Sequence, residues 1–501
     1  MSQQLVKEAF LSNLNGTTLL EVSVGISLAP LCVLTRGLLL ILYFLHNGRP
    51  LCSMYGNFFL DFTVLIIPSI LTCTILADIL HFVILSIIAF CTGLIFVIYT
   101  KRTNYARASL KQILDDFLRT NLDPGNIPSI TFLRVFVNLL TSINILAVDF
   151  PQYPRRYAKT ESYGTGVMDL GVGIFVFGNG LVCPEVRLKP GATQNKFFYL
   201  TRQLLTIWPL LLLGFGRLMS VKAADYYEHV TEYGVHWNFF FTLAAIRIGA
   251  SLLLTVFPVH KAWIVAIMLA VVYECFLEIT PLKRFILHGS NGQDSRTGFL
   301  NANREGIFSV VGYLAIYMAS VQVGLHLLGK RTTPRVWLKT VCYFLQAILM
   351  LFICLCIAQR YIDTVSRRMA NLSFCIWIVA NCFIALSSFL VVDLILVFTK
   401  LVVGGADIPS SWNILHPSTY KKSEFRHRKN ESQNMCMISA VNKNQLLFFL
   451  LANVLTGFVN MHFDTMHSNT LSAMLVVHLY MFTNCLIMYM LQAKNIILKC
   501  W

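Results

Sequence analysis

Long uninterrupted apolar segments recur along the whole chain and leave few fold classes open. Segments such as 78–100, 198–220 and 470–493 reach the length of roughly 20 residues that a helix needs to cross the hydrocarbon core of a bilayer. Transmembrane β-strands are instead alternating segments of about 10 residues. Only 13% of the residues are charged, whereas soluble domains carry about 25%. The sequence therefore predicts an all-α polytopic membrane protein.

The apolar segments predict about 13 transmembrane helices in a single multi-spanning domain, residues 1–501. The predicted spans lie near 22–45, 58–76, 78–100, 129–149, 165–184, 198–220, 237–257, 262–281, 306–328, 339–360, 371–397, 446–462 and 470–493. The pair 58–76 and 78–100 leaves open a merged or re-entrant segment. The Ser-, Lys-, Arg- and Asn-rich range 398–445 predicts one long, flexible cytoplasmic loop.

The distribution of Lys and Arg predicts the orientation of the chain. The loops 101–128, 185–197, 329–338 and 398–445 are richer in Lys and Arg than the loops of opposite parity, and basic loops face the cytoplasm. The amino terminus is then lumenal and the carboxyl terminus cytoplasmic. On that lumenal side Asn15 begins the glycosylation sequon Asn-Gly-Thr, although such a tripeptide also arises by chance.

Charge and cysteine spacing indicate the classes of partner. The net charge of +16 comes from basic residues in short loops, which favours anionic membrane lipid over nucleic acid. The 14 cysteines show no CxxC pair of the zinc-site type, so we expect neither a metal nor another cofactor. The sequence contains no GxSxG, HExxH or P-loop motif, which leaves serine-hydrolase, zinc-protease and ATPase chemistry unsupported.

Polar side chains gather in the loops that this orientation places in the lumen. Guanidinium groups bind phosphate bidentately, while amides and carboxylates suit the hydroxyls of a sugar or inositol. An anionic glycolipid head group would satisfy both sets, although the same residues could instead pair with one another or with interfacial lipid. The predicted substrate-binding residues are Arg155, Arg156, Asp169, Glu232, His236, Asn238, Asn301, Asn303, Arg304, Arg367 and Arg368.

Asp149 ends the predicted fourth span, where a carboxylate is costly and often functional. Phe150-Pro151 stops the helix there, and Lys159 follows ten residues later, within reach of a loop that folds back. We predict that Asp149 accepts the proton of an attacking hydroxyl. Lys159 would hold Asp149 ionised or stabilise an oxyanion on a carbonyl under attack. On spacing alone, a structural Asp–Lys or Asp–Arg ion pair is the simpler interpretation.

Several long stretches carry a resemblance to a known enzyme family. They include "ILAVDFPQYPRRYAKTESYGTGVMDLGVGIFVFG" (145–178), "EHVTEYGVHWNFFFT" (228–242), "FLNANREGI" (299–307) and "VSRRMANLSFCIWIVA" (365–380). With "EAFLSNLNGTT" (8–18) and "MHSNTLSAMLVVHLYMFTNCLI" (466–487) they run from end to end. The chain thus resembles the family that acylates inositol during assembly of the glycosylphosphatidylinositol (GPI) anchor.

The resemblance implies a multi-pass enzyme of the endoplasmic-reticulum membrane. Such an enzyme transfers a fatty acyl group, usually palmitoyl, from acyl-CoA to the inositol 2-hydroxyl of glucosaminyl-phosphatidylinositol. Palmitoyl-CoA is then a co-substrate, and no cofactor is needed. Asp149 and Lys159 match the residues that look like the catalytic pair of the family.

Two other functions remain open from the residues themselves. A lipid or solute transporter would use the lumenal polar cluster as half of an alternating-access site, but the sequence shows no internal repeat of the kind common in transporters. A structural subunit of a larger complex would not depend on Asp149. Release of CoA thiol distinguishes the enzyme from the transporter.

Overall fold

The computed structural model describes residues 14–51, 53–102, 109–125, 127–187, 196–223, 230–329, 331–406, 408–415 and 435–498. The helices of its first half are α1 (Leu19–Ile26), α2 (Leu28–Asn47), α3 (Met54–Asp61), α4 (Ile67–Cys73), α5 (Leu80–Lys101), α6 (Leu110–Arg119), α7 (Pro128–Ala147), α8 (Val167–Leu181), α9 (Pro184–Arg187), α10 (Lys196–Leu205) and α11 (Trp208–Ala223). Those of the second half are α12 (Val230–Tyr233), α13 (Phe239–Val256), α14 (Ala262–Ile279), α15 (Leu282–His288), α16 (Phe299–Ala302), α17 (Arg304–Leu327), α18 (Pro334–Tyr361), α19 (Leu372–Val402), α20 (Met437–Lys443), α21 (Gln445–His462) and α22 (Thr470–Ala493).

Short elements join some of these helices. A π-helical turn, Phe62–Ile66, connects α3 to α4, and 3₁₀ turns occur at Ala77–Ile79, Arg155–Tyr157 and Val259–Lys261. Within the described ranges the strands are β1 (Asn121–Leu122) and β2 (Ile414–Leu415), which pair antiparallel. The predicted all-α class is therefore confirmed for the described part of the chain.

The described residues contain 13 helical segments long and apolar enough to cross a membrane, which confirms the predicted count. The ambiguous second and third spans are separate segments, Met54–Cys73 and Ala77–Lys101. Others differ from the prediction at their ends: the segment predicted at 371–397 runs from Leu372 to Val402. The compartment that each loop faces stays a prediction.

The connection between helices in the range 398–445 is shorter than the long loop predicted there. Helix α19 continues to Val402, and α20 occupies Met437–Lys443. Residues 416–434 of the range lie outside the described residues, so its flexibility stays a prediction.

Helix α19 forms the centre of the bundle. It packs against α2, α7, α17 and α18, and its Trp377, Leu386 and Phe389 are almost completely buried. Close approach of α17 to the segment before α19 requires Gly312, because a Cβ there would fall on the carbonyl oxygen of Ala370. Helix α7 also packs against α8, the next helix along the chain.

Loops from distant parts of the sequence meet at one end of this bundle. Gly164 N donates to the carbonyl of Val365 over 2.9 Å, and the backbone N–H of His236 donates to Oδ1 of Asn303 over 2.7 Å. Gln152 Nε2 reaches the carbonyl of Ser468 over 3.2 Å. The loops after α7, α12, α16, α18 and α21 thus form one connected polar layer.

Candidate active site

The chain turns sharply after α7, and this corner carries the two predicted catalytic residues. Helix α7 ends at Ala147, two residues before the predicted end at Asp149. Pro151 cannot supply the N–H that a further helical turn needs. Arg155 then closes the corner, because its Nη2 donates to the carbonyl oxygens of Val148 and Phe150, each over 2.8 Å.

A cavity of about 340 Å³ opens beside this corner. Its apolar walls come from α7, α8 and α19, with side chains such as Leu133, Val137, Ile174 and Phe389. Its polar end is lined by Asp149, Lys159, Glu232, Arg217, Asn238 and Asn453. Among the described residues, the two predicted catalytic groups therefore share one chamber that joins a polar end to an apolar pocket.

Asp149 and Lys159 each have a defined partner in the cavity wall. Oδ2 of Asp149 accepts a hydrogen bond from Nδ2 of Asn460 on α21 over 2.8 Å. Nζ of Lys159 lies 2.5 Å from Oε1 of Glu232 in α12. Lys159 is thus ion-paired to Glu232, a partner that spacing within the corner does not indicate.

The surrounding cations keep Glu232 ionised. Burial raises the pKa of Glu232, but the charges of Lys159, Arg367 and Arg217 outweigh burial and lower its pKa from 4.5 to about 2. The carboxylate therefore holds the ammonium group of Lys159 in place at neutral pH.

A second pair, Asp169 and Arg367, fixes the backbone next to Lys159. Asp169 is completely buried and accepts hydrogen bonds from N and Oγ1 of Thr160 and from N of Gly166. Nε of Arg367 donates to its other oxygen over 2.6 Å. Both residues were predicted to bind substrate, yet neither lines the cavity; they clamp the Lys159 loop onto α8 and the loop before α19.

The other arginines predicted to bind phosphate also contact protein groups. Arg156 pairs with Glu21 at 3.0 Å and Asp78 at 2.7 Å, and Arg368 pairs with Glu305 at 2.7 Å. Fully buried Arg304 pairs with Asp294 and donates to backbone carbonyls. Neither these residues nor Arg155 line the cavity. They contact other protein groups, which is the alternative to substrate binding that the sequence left open.

The predicted amides and histidine mainly organise loops. Asn238 lines the cavity, caps α13 by accepting from N of Phe240 and donates to the carbonyl of Gly214. Asn303 accepts from the backbone N–H of His236, and Asn301 donates to the carbonyl of Ser295 over 2.7 Å. Of the predicted site residues, the cavity wall contains Asp149, Lys159, Glu232 and Asn238.

Sequence reasoning missed Arg217, Asn453 and Asn460. Nη1 of Arg217 on α11 lies 3.5 Å from Oδ1 of Asn453 on α21. The available signal was an arginine inside an apolar segment, which is costly in a membrane and commonly marks a function. The two asparagines are seven residues apart and so share one helix face.

The described part of the chain contains no group of three or more His, Cys, Asp or Glu side chains placed to hold a metal ion. The expectation that neither metal nor cofactor takes part stays a prediction.

Comparison with known proteins gives matches along nearly the whole chain. The family model GWT1 matches residues 3–491. The chain is 49% identical to glucosaminyl-phosphatidylinositol-acyltransferase PIGW of Bos taurus and 47% identical to the protein of that name from Homo sapiens, in both cases over 100% of either chain. It is 33% identical to GPI-anchored wall transfer protein 1 of Aspergillus fumigatus over 94% of either chain. The matched range therefore includes the residues of the corner after α7 and of the cavity wall.

Proposed function

The chain belongs to the GWT1 family, and we propose that it transfers a fatty acyl group from acyl-CoA to the inositol of glucosaminyl-phosphatidylinositol during GPI-anchor biosynthesis. Mammalian relatives that match it over their full length carry the name of this acyltransferase. Such an enzyme works as a multi-pass protein of the endoplasmic-reticulum membrane, with palmitoyl-CoA as the acyl donor.

The observation that carries this proposal is the composite cavity beside the corner. An acyl chain is apolar and gains free energy by leaving water, so it suits the part lined by Leu133, Val137 and Ile174. A thioester and an inositol are polar and suit the end that holds Asp149 and Lys159. One chamber thus brings both substrates to the two candidate catalytic groups.

The proposed reaction is a direct acyl transfer in which both candidate groups take part. Asp149 accepts the proton of the inositol 2-hydroxyl as the oxygen attacks the thioester carbonyl carbon. The carbonyl oxygen gains negative charge, which the ammonium group of Lys159 stabilises. The carbon–sulfur bond then breaks, the ester forms, and the CoA thiolate leaves and takes up a proton. Direct transfer of this kind needs no acyl-enzyme intermediate.

Purified protein tests the proposal when it is supplied with palmitoyl-CoA and glucosaminyl-phosphatidylinositol. We expect one CoA thiol for each acylated lipid that mass spectrometry detects, and no thiol above background without the lipid acceptor. Movement of the lipid across vesicle membranes without thiol release would reject the proposed acyltransferase activity and favour a transporter.

A further inference from the structure

Arg217 is the only arginine among the described residues that line the cavity. It lies in the second half of α11, on a helix whose Phe215 and Met219 are exposed on the outer surface of the bundle. The arginines that the sequence singled out lie outside the cavity and contact protein groups. A negatively charged substrate group inside the chamber would therefore meet Arg217 or Lys159, the cations of its described lining.

Helix α21 links Arg217 to the candidate base. Asn453, in the middle of the helix, accepts from Nη1 of Arg217, and Asn460, near its end, donates to Asp149. Seven residues of α-helix advance about 10.5 Å along the axis. Arg217 and Asp149 thus contact one face of α21 about two turns apart, with Arg217 nearer the middle of the span.

We propose that Arg217, with Asn453 beside it, binds the phosphodiester of the inositol phospholipid acceptor. This assignment rests on the proposed function. The phosphate and the acylated hydroxyl are on adjacent carbons of the inositol ring. A cation and a base on one face of α21 therefore suit the phosphate and the hydroxyl of one head group.

The order of the groups along α21 also fits a phospholipid. A phospholipid whose tails remain in the bilayer has its phosphate deeper in the membrane than its inositol. Arg217 contacts α21 at its middle, whereas Asp149 contacts it near its end. The phosphate therefore meets the guanidinium group while the ring hydroxyl meets the carboxylate.

The outer surface at this place allows such a lipid to enter from the side. Phe215 on α11 and Val454 and Phe458 on α21 are exposed, as side chains that face lipid are. Phe449 and Asn453 on the same part of α21 line the cavity. The head group can thus occupy the chamber while the acyl tails stay against these apolar side chains.

Steady-state kinetics of Arg217→Ala in membranes or detergent test the assignment. Loss of a charge-assisted hydrogen bond should raise the KM for glucosaminyl-phosphatidylinositol at least about tenfold and leave the KM for palmitoyl-CoA unchanged. Arg217→Lys keeps the charge, so its KM for glucosaminyl-phosphatidylinositol should lie between those of wild type and Arg217→Ala. It replaces the alanine variant in the test if that variant folds poorly. Arg202→Ala is the matched control, because Arg202 is an exposed arginine of α10 outside the cavity lining.

A neutral acceptor sharpens the test. We would use the methyl phosphotriester of the same lipid, which lacks the negative charge. Wild-type protein should use it poorly, and the Arg217→Ala substitution should cause little further loss with it. An equal loss with charged and neutral acceptors, an unchanged KM for the charged acceptor, or a raised KM for palmitoyl-CoA instead would each overturn the assignment.

Binding without turnover separates this inference from the proposed function. If wild-type protein releases no thiol, the proposed function fails. Thermal stabilisation by glucosaminyl-phosphatidylinositol still decides the assignment, since wild-type protein should gain stability and Arg217→Ala should gain much less. Equal stabilisation of both proteins, or of neither, would reject phosphate binding by Arg217.

Discussion

Lys159, in the loop after α7, forms an ion pair with Glu232 of α12, with Nζ 2.5 Å from Oε1, at the wall of the cavity that Asp149 also lines. The pair gives Lys159 a fixed position while its other hydrogen atoms can face the chamber. The acid that orients Lys159 is thus distinct from the acid proposed to accept the substrate proton. Asp149 keeps its own contact with Asn460.

Asp149→Asn should lower acyl transfer at least about 100-fold, because an amide cannot accept the hydroxyl proton. Release of CoA thiol by purified protein measures the effect, with Asp115→Asn on the exposed side of α6 as the control. Transfer at the wild-type rate would remove Asp149 from the reaction and favour a structural subunit.

Lys159→Ala should reduce kcat by a similar factor, on the order of 100-fold, since the oxyanion loses its cationic partner. The variant should keep its elution profile in gel filtration, because Lys159 and Glu232 are only half-buried and lie outside the apolar core. Unchanged kcat in a folded variant would contradict the role of Lys159.

The Lys159–Glu232 pair should stabilise the protein only where Glu232 is ionised. Its pKa falls from 4.5 to about 2 in the folded protein, so its contribution is present above pH about 4.5 and is lost as the pH falls towards 2. The difference in melting temperature between wild type and Glu232→Gln should therefore shrink between pH 7 and pH 3. A difference that stays constant or grows over this range would show that Glu232 is not held ionised by its partners.

Breaking the Asp169–Arg367 clamp should destabilise the protein strongly. Both side chains are buried, and removal of one partner leaves a buried charge, which costs about 3–5 kcal/mol. Arg156→Ala breaks the more exposed pairs with Glu21 and Asp78 and should cost about 0–1 kcal/mol for each pair. Thermal unfolding of Asp169→Asn and Arg156→Ala in the same detergent compares the two stability losses. Equal decreases in melting temperature would contradict the role of Asp169 and Arg367 as a clamp.

Gly312→Ala should disrupt the contact between α17 and the segment before α19. The added Cβ would fall on the carbonyl oxygen of Ala370, and overpacking of this kind costs about 1–3 kcal/mol. Gly93→Ala on α5 is the control, since nothing lies within 4 Å of a Cβ there. A melting temperature of Gly312→Ala equal to that of the control would show that the close approach is not needed.

Asn15→Gln tests the predicted orientation. Asn15 is exposed, as a glycosylated asparagine must be, and it is lumenal in the predicted topology. We expect wild type, but not Asn15→Gln, to gain mobility on glycosidase treatment. Asn430 begins a second sequon, Asn-Glu-Ser, in the predicted cytoplasmic loop, so Asn430→Gln should behave as wild type. A tag at the amino terminus that protease removes from the cytoplasmic side of intact vesicles would reverse the orientation.

The number of spans and the corner after α7 were accessible from the chain alone because both depend on local chemistry. The length of an apolar segment decides whether a helix crosses the bilayer, and Pro151 stops a helix wherever the helix packs. Asp149 and Lys159 were found as candidates for the same reason.

The partners of the charged groups depend on which loops meet, and no spacing along the chain encodes that. Glu232 is 73 residues from Lys159, Arg367 is 198 from Asp169, and Asn460 is 311 from Asp149. Folding therefore decided which arginines lie outside the cavity, in ion pairs with other loops, and which one, Arg217, lines it. An ion pair is a short-range contact in space, so only the packed bundle could distinguish the two groups.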